Sequence, residues 1–317
     1  MEDQKRIGRI AVVGSNMVDL ITYITRMPAP GETLEAPDFE IGCGGKGANQ
    51  AVAAAKLGSQ VSMVTKVGSD LFGDNTIANF QQFGIDTTHV AKVEGKSSGV
   101  APIFVEESGE NSILIVKGAN ADLLPADVDA AEETLRQADL ILMQLEVPLE
   151  TVRHTVRRAA EWGVPTILNP APATPELNVG DLRSLSFLVP NESELALLSG
   201  MPTDSEDEIN AAARSLIAQG IGTVIVTLGG RGARLITADQ VTPIEPVRVT
   251  PVDTTGAGDA FIGSFAHFFA ASGNTEEALK QAARYAAQSV GKRGTQKSYA
   301  SAEEFVSFCE GLAPSAS

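Results

Sequence analysis

The sequence predicts an α/β fold: a mostly parallel sheet with helices on both faces, plus a small β accessory sheet. One observation carries the main sheet. Short apolar runs that stop at glycine or a polar residue alternate with helix-length segments along most of the 317 residues. Unbroken apolar runs suit strands buried on both faces, and strand–helix alternation builds parallel sheets. A second observation carries the accessory sheet. Segments 19–42 and 97–118 read as strands joined by turns, without helical period, where crossover helices are expected.

The elements follow in order. "IAVVG" (10–14) is a short buried strand ended by glycine. "GANQAVAAAKLG" (47–58) is alanine-rich and stopped by glycine, which predicts a helix. "VSMVTKVG" (61–68) is a strand, and "SDLFGDNTIANFQQFG" a helix with Ser69 or Asp70 at its cap. "LILMQLE" (140–146) is a strand, 149–162 a helix and "PTILNP" a strand. "FLVPNESE" (187–194) runs from strand into helix. "INAAARSLIAQG" is a helix, and "TVIVTLGG" (223–230) a strand ending in glycines. "AFIGSFAHFFAA" is an apolar helix. Asn274, three residues before Glu277, predicts a capping box for the next helix, toward Lys292. No internal repeat or domain boundary is visible. The chain reads as one α/β domain over 1–312, with inserts at about 17–43 and 97–118 and a disordered tail at 313–317.

Composition excludes several classes. The formal net charge of −16 repels nucleic acid and anionic membranes, so neither is expected as a partner. No apolar run is long enough for a bilayer, and "MEDQKRIGRI" lacks the apolar core of a secretory signal. Cys43 and Cys309 form neither metal-ligand spacing nor a disulfide framework, which fits the reduced cytoplasm. His89, His154 and His267 have no metal spacing. Any phosphate site in so acidic a protein must be local, made of backbone N–H groups, helix N-termini or a few placed cations.

In open α/β sheets ligands bind beyond the carboxyl ends of the strands. Asp19, Glu146, Asn191, Glu194, Gly229, Gly230 and Gly232 all fall at such ends. "DTTGAGDAF" (253–261) places Gly256, Ala257 and Gly258 at a helix start, where N–H groups and the dipole favour a phosphoryl oxygen. Asp259 then follows, an anion beside an anion site. In phosphoryl transfer an acceptor hydroxyl must lose a proton, and a carboxylate one residue beyond the turn can take it. A first-turn aspartate is also favoured by the helix dipole alone, so spacing leaves both readings open. "GCGGKGAN" (42–49) contains G-x-G-x-x-G, but well after the first strand, against a dinucleotide fingerprint. Gly47 follows Lys46 where a P-loop needs Ser or Thr. A substrate loop with Lys46 and Asn49 as polar contacts fits better, and a plain tight turn into a helix stays open. Glu146 and Glu194 read equally as solvated charges, and Cys43 as a small filler.

"GGKGANQAVAAAKLG" and "DTTGAGDAF" together resemble the two signatures of the ribokinase (PfkB) family of carbohydrate kinases. The likeness runs from about Arg9 to about Ser298. "GSNMVDLITY", "MQLE", "NPAPA", "PNESE" and "GTQKS" are most similar to its pentose-kinase branch. The resemblance implies a three-layer α/β/α ribokinase-like core with a β lid, and a homodimer through the lids. It implies ATP with Mg²⁺ as donor and the 5-hydroxyl of D-ribose or 2-deoxy-D-ribose as acceptor. Asp259 would be the base, and Gly256, Ala257 and Gly258 the anion hole. Met17, Val18, Asp19, Gly45, Lys46, Gly47, Ala48, Asn49, Glu146 and Asp259 would line the sugar. Asn191, Glu194, Thr227, Leu228, Gly229, Gly230, Arg231, Gly232, Gly258 and Asp259 would serve the nucleotide and Mg²⁺. Asp253, Thr255, Ser289, Lys292, Gly294 and Ser298 match a monovalent-cation site built mostly of carbonyls, which suits K⁺.

Two positions depart from the family. Met17 stands where many bacterial members carry Asn; a thioether has no donor and accepts weakly. That favours a sugar lacking a hydroxyl, by at most about 10²-fold. Ala283 stands where His or Asn often meets the adenine side. Other kinases of the family, for a nucleoside, hexose or sugar phosphate, are the alternative; the acidic "EAPDFEIG" disfavours the last. An NAD-dependent dehydrogenase needs its glycine loop on the first βα turn. A non-catalytic sugar-binding protein leaves Asp259 beside an intact Gly256–Gly258 turn unexplained.

Overall fold

The computed structural model describes residues 6–106 and 111–312. The expected disordered tail, 313–317, lies outside them, as does part of the second insert. The elements run in chain order as β1 (Arg9–Val13), β2 (Met17–Ile24), β3 (Asp38–Gly44), α1 (Lys46–Lys56), β4 (Gln60–Gly68), α2 (Leu71–Gln82) and β5 (Asp86–Val93). Then come β6 (Val100–Glu106), β7 (Asn111–Ile113), α3 (Pro125–Ala130), α4 (Glu132–Arg136), β8 (Leu140–Met143), α5 (Leu149–Trp162), β9 (Thr166–Leu168) and β10 (Phe187–Leu188). The chain closes with α6 (Glu192–Ser199), α7 (Glu206–Ile217), β11 (Thr223–Thr227), β12 (Ala233–Ile236), β13 (Val241–Ile244), α8 (Ala257–Ser272), α9 (Thr275–Ser289) and α10 (Ala302–Leu312).

The main sheet has the order β13-β12-β11-β10-β9-β8-β1-β4-β5. Its strands pair in parallel from β5 to β11, and β11, β12 and β13 pair antiparallel at the edge. Alternate side chains of β1 enter opposite layers, as the period of two requires. Ile10 and Val12 pack with α1, α8 and α9, while Ala11 and Val13 pack with α3, α5 and α7. β8 does the same with Leu140 and Leu142 against Ile141 and Met143. This is the three-layer α/β/α core that was expected.

The two inserts join in one separate sheet of order β3-β2-β6-β7. β2 pairs antiparallel with β3 and in parallel with β6. Its strands begin at Met17 and reach Gly44, slightly wider than segment 19–42. Of the two candidate caps, Asp70 caps α2, accepting from the Gly73 N–H at 2.8 Å. Asn274 caps α9 by accepting from the Glu277 N–H, but the Glu277 carboxylate turns forward to Gln281, so the reciprocal half of the box is replaced. β8 ends at Met143, short of Glu146, which leaves that glutamate on the loop at the strand's carboxyl end.

Candidate active site

The carboxyl ends of β1, β8, β10 and β11 and the N-termini of α1, α6 and α8 meet at one rim. α8 opens at Gly256, held at φ +75, where a side chain would collide with Thr295 and the Tyr299 hydroxyl. The left-handed φ and the close approach both require glycine. The Tyr299 hydroxyl donates to the Gly256 carbonyl at 3.0 Å and pins the turn. The Ala257 N–H makes a 3.2 Å bond to Thr254, and a Cβ on Gly258 would meet open space. The first-turn N–H groups of a helix lack intrahelical partners, so this end can accept an anion close to the backbone.

Asp259 lies in that first turn, and only 8% of it is exposed. Its Oδ2 accepts from Asn49 Nδ2 and its Oδ1 from Gln50 Nε2, each at 3.0 Å. The carboxylate is therefore not a solvated dipole partner but a buried, directed group. Lys46 stands beside it at the start of α1. Burial alone would lower the Lys46 ammonium, but the carboxylates of Asp259, Glu146 and Glu194 outweigh it and pull the ammonium up. Lys46 is thus a fixed cation within an acidic protein, as a local phosphate site demands.

Glu146 is buried, and burial pushes its carboxyl up, partly offset by Lys46 and by hydrogen bonds. Its Oε2 accepts from Ser15 Oγ at 2.5 Å and from the Lys46 N–H at 2.9 Å. Asp19, on β2, is pushed up to about 7 by burial first, then by Glu146 and Asp259. Gly45, at φ +88, and Gly44 bring the loop against Met17 and Asp19, where a Cβ would collide. The Gly47 N–H goes to Ser15 Oγ and the Ala48 N–H to the Ser15 carbonyl, so both tie the loop to the end of β1. Met17 is buried, its sulfur 4.0 Å from Asn120 Nδ2, and Val18 is buried in register with Cys43.

On the nucleotide side, Asn191 and Glu194 form a capping box at α6. Asn191 Oδ1 accepts from the Glu194 N–H, and Glu194 Oε2 accepts from the Asn191 N–H. Burial nonetheless pushes the Glu194 carboxyl up, and it interacts with Lys46 and Asp259. Asn191 bridges Thr227 on β11. The Leu228 N–H donates to the Gly232 carbonyl and its own carbonyl accepts from the Arg231 N–H, while a Cβ on Gly229 or Gly230 would meet open space. Arg231 pairs with Glu192. Ala283 packs against the core.

The residues expected around a monovalent cation lie at the end of α9 and on two loops that the Asp253 carboxylate joins. Asp253 accepts from the Thr255 N–H and the Gly294 N–H, both at 2.9 Å. Burial would raise the Asp253 carboxyl, but these bonds and Arg293 bring it below its usual value. An ionised carboxylate among turn carbonyls fits a weakly held monovalent cation. Lys292 pairs with Glu304, and the Ser289 and Ser298 hydroxyls donate to carbonyls of Ala286 and Thr295. Among the described residues no cluster of three or more His, Cys, Asp or Glu could cage a metal. Two cavities of about 320 and 470 Å³ lie elsewhere, lined by none of the expected site residues.

Four contributors were not anticipated: Ser15 on Glu146, Gln50 on Asp259, and Gln144 and Gln296 behind the amides. The visible signal for Gln50 was a polar residue within an alanine-rich helix run. No helix among the described residues is long and apolar enough to cross a membrane.

The pfkB family carbohydrate kinase model matches residues 8–302. The chain is 57% identical to the deoxyribokinase of Salmonella typhi over 296 residues, 93% of this chain and 97% of that one. It is 38% identical to the ribokinase of Haemophilus influenzae over 302 residues, 95% and 98% of the two chains. The ribokinase of Arabidopsis thaliana, solved with ribose and ATP, superposes with a TM-score of 0.90 at 32% identity, covering 98% of this chain and all of that one.

Proposed function

This chain belongs to the pfkB family of carbohydrate kinases and is an ATP-dependent pentose kinase, and we propose that it phosphorylates the 5-hydroxyl of 2-deoxy-D-ribose, with D-ribose a poorer acceptor. The observation that carries the reaction is Asp259. It is a buried, doubly held carboxylate in the first turn of α8, beside the Lys46 ammonium. Asp259 takes the proton from the attacking hydroxyl, and the Gly256–Gly258 turn holds the transferred phosphoryl oxygens. Lys46 offsets their charge. Asp19, Asn49 and Glu146 orient the sugar, and Met17 faces it with a surface that offers no amide.

Asn191 and Glu194 would hold Mg²⁺ with the nucleotide, and Thr227–Gly232 the nucleotide itself. Mg²⁺ screens phosphate charge when bound. The loops of Asp253 and Gly294 would hold K⁺. The acceptor preference is supported by Met17 and by the 57% identical deoxyribokinase. The separate sheet acts as a lid. Phe39 and Ile41 share one face of β3 and are each about half exposed, which supports pairing of two lids in a homodimer.

The test is ATP consumption with D-ribose, 2-deoxy-D-ribose, D-fructose and adenosine, compared by kcat/KM with Mg²⁺ and K⁺ present. 2-Deoxy-D-ribose is expected to lead, and Asp259→Asn to bind sugar and ATP while losing about 10²-fold or more in kcat. A lead for fructose or adenosine overturns the acceptor; near-normal kcat in Asp259→Asn removes the base.

A further inference from the structure

Asn49 and Gln50 are consecutive on α1, and their amides grip the two oxygens of one carboxylate, that of Asp259. An amide has a donor end and an acceptor end, and the wrong end would repel the carboxylate. Each amide here is oriented from behind. Gln144 Nε2 donates to Gln50 Oε1 at 2.7 Å, and Gln296 Nε2 donates to Asn49 Oδ1 at 3.0 Å. Gln296 is oriented in turn, its Oε1 accepting from Asn79 Nδ2 at 2.9 Å. With their carbonyl ends occupied, both amides have only NH₂ left for Asp259. Gln50 also lies 3.3 Å from Asn169 Oδ1.

Gln50 and Gln144 are fully buried. Polar groups so placed cost desolvation that an apolar side chain would avoid. Position 50 lies in an alanine-rich helix packed on α8, where an apolar residue would serve packing alone. The donor chemistry is therefore the feature to explain. We propose that Gln50 is a positioning residue for the base: it fixes the plane of the Asp259 carboxylate, with Gln144 locking the amide the right way round. This rests on the kinase reading above. Gln50 touches Asp259, not the sugar, so its loss acts on kcat more than on sugar KM.

Two variants separate this role from simple packing. Gln50→Met keeps the volume and removes the donor; kcat is expected to fall about 10-fold or more, part of the 10²–10⁴ a general base supplies. Sugar KM should stay within about threefold. Gln50→Glu keeps an acceptor for Gln144 but sets a carboxylate against Asp259. Asp259 is already faced by Asp19 from β2, Lys46 from α1, Glu194 from α6, Glu146 beyond β8 and the Tyr299 hydroxyl. One more like charge there should lower kcat at least as far as Gln50→Met does. Melting curves and ADP binding check the fold. Should position 50 variants not fold, Gln144→Met leaves Gln50 in place with its amide free to turn, and kcat should fall in the same sense. Unchanged kcat in Gln50→Met and in Gln50→Glu overturns the role, as does unchanged kcat in Gln144→Met. Absence of pentose turnover in the unmodified protein would instead sink the kinase reading.

Discussion

Asp19 on β2 carries a stability cost that depends on pH. Its carboxyl, normally near 3.8, is held at about 7 by burial and by Glu146 and Asp259. The folded protein thus holds this proton more tightly than the unfolded chain does. The resulting stabilisation is complete below about pH 4 and is lost as pH rises through 7, where the charge is buried at a cost. A displacement of this size corresponds to roughly 4 kcal/mol, less whatever water in the cleft screens. Asp19→Asn should therefore raise Tm at pH 8 and raise it much less at pH 5, while pentose binding weakens. Equal gains at both pH values would contradict this assignment. In the unmodified enzyme, kcat/KM for pentose should fall as pH drops below about 7, since a protonated Asp19 accepts sugar hydroxyls poorly.

At the scale of elements, the start of α8 depends on loops remote in sequence. Asp253 receives the Gly294 N–H, Tyr299 holds the Gly256 carbonyl, and Lys56 donates to the carbonyls of Gln296 and Tyr299. Segment 294–299 therefore braces both the Gly256 turn and, through Gln296 and Asn49, the Asp259 carboxylate. A cation seated beside Asp253 would tighten that brace, so replacing K⁺ by Na⁺ should lower kcat severalfold with little change in Tm. Equal rates in the two salts would remove the cation site. The short α3, α4, β12 and β13 were not legible in the sequence. "ARLI" and "VTPI" carry too few residues for a period, and their pairing at the sheet edge, not their composition, makes them strands. β5 was hidden for a related reason: its exposed edge position leaves polar residues along "DTTHVAKV".

At the scale of the whole molecule, the separate sheet carries exposed apolar side chains. Phe39 and Ile41 leave apolar surface on one face of the separate sheet, and a second copy would bury it. The protein should sediment as a dimer, and Ile41→Asp should yield monomers with a raised pentose KM; a monomeric unmodified protein would refute the lid pairing. The layered core, the second sheet built from two inserts and the two glycine signatures were all legible because each is local: buried strands are continuous apolar runs, and a helix that starts in a left-handed turn needs glycine there. The sequence by itself therefore determined the fold class and the position of Asp259 at a helix start. It left that residue equally a base or a dipole partner. Only the tertiary structure made it a buried, directed carboxylate, by setting the amides of Asn49 and Gln50, some 210 residues away, on its two oxygens. Which donor meets which acceptor is fixed by the packing of α1 on α8 and by the amides behind them, and no period or spacing in one chain encodes such a long-range meeting.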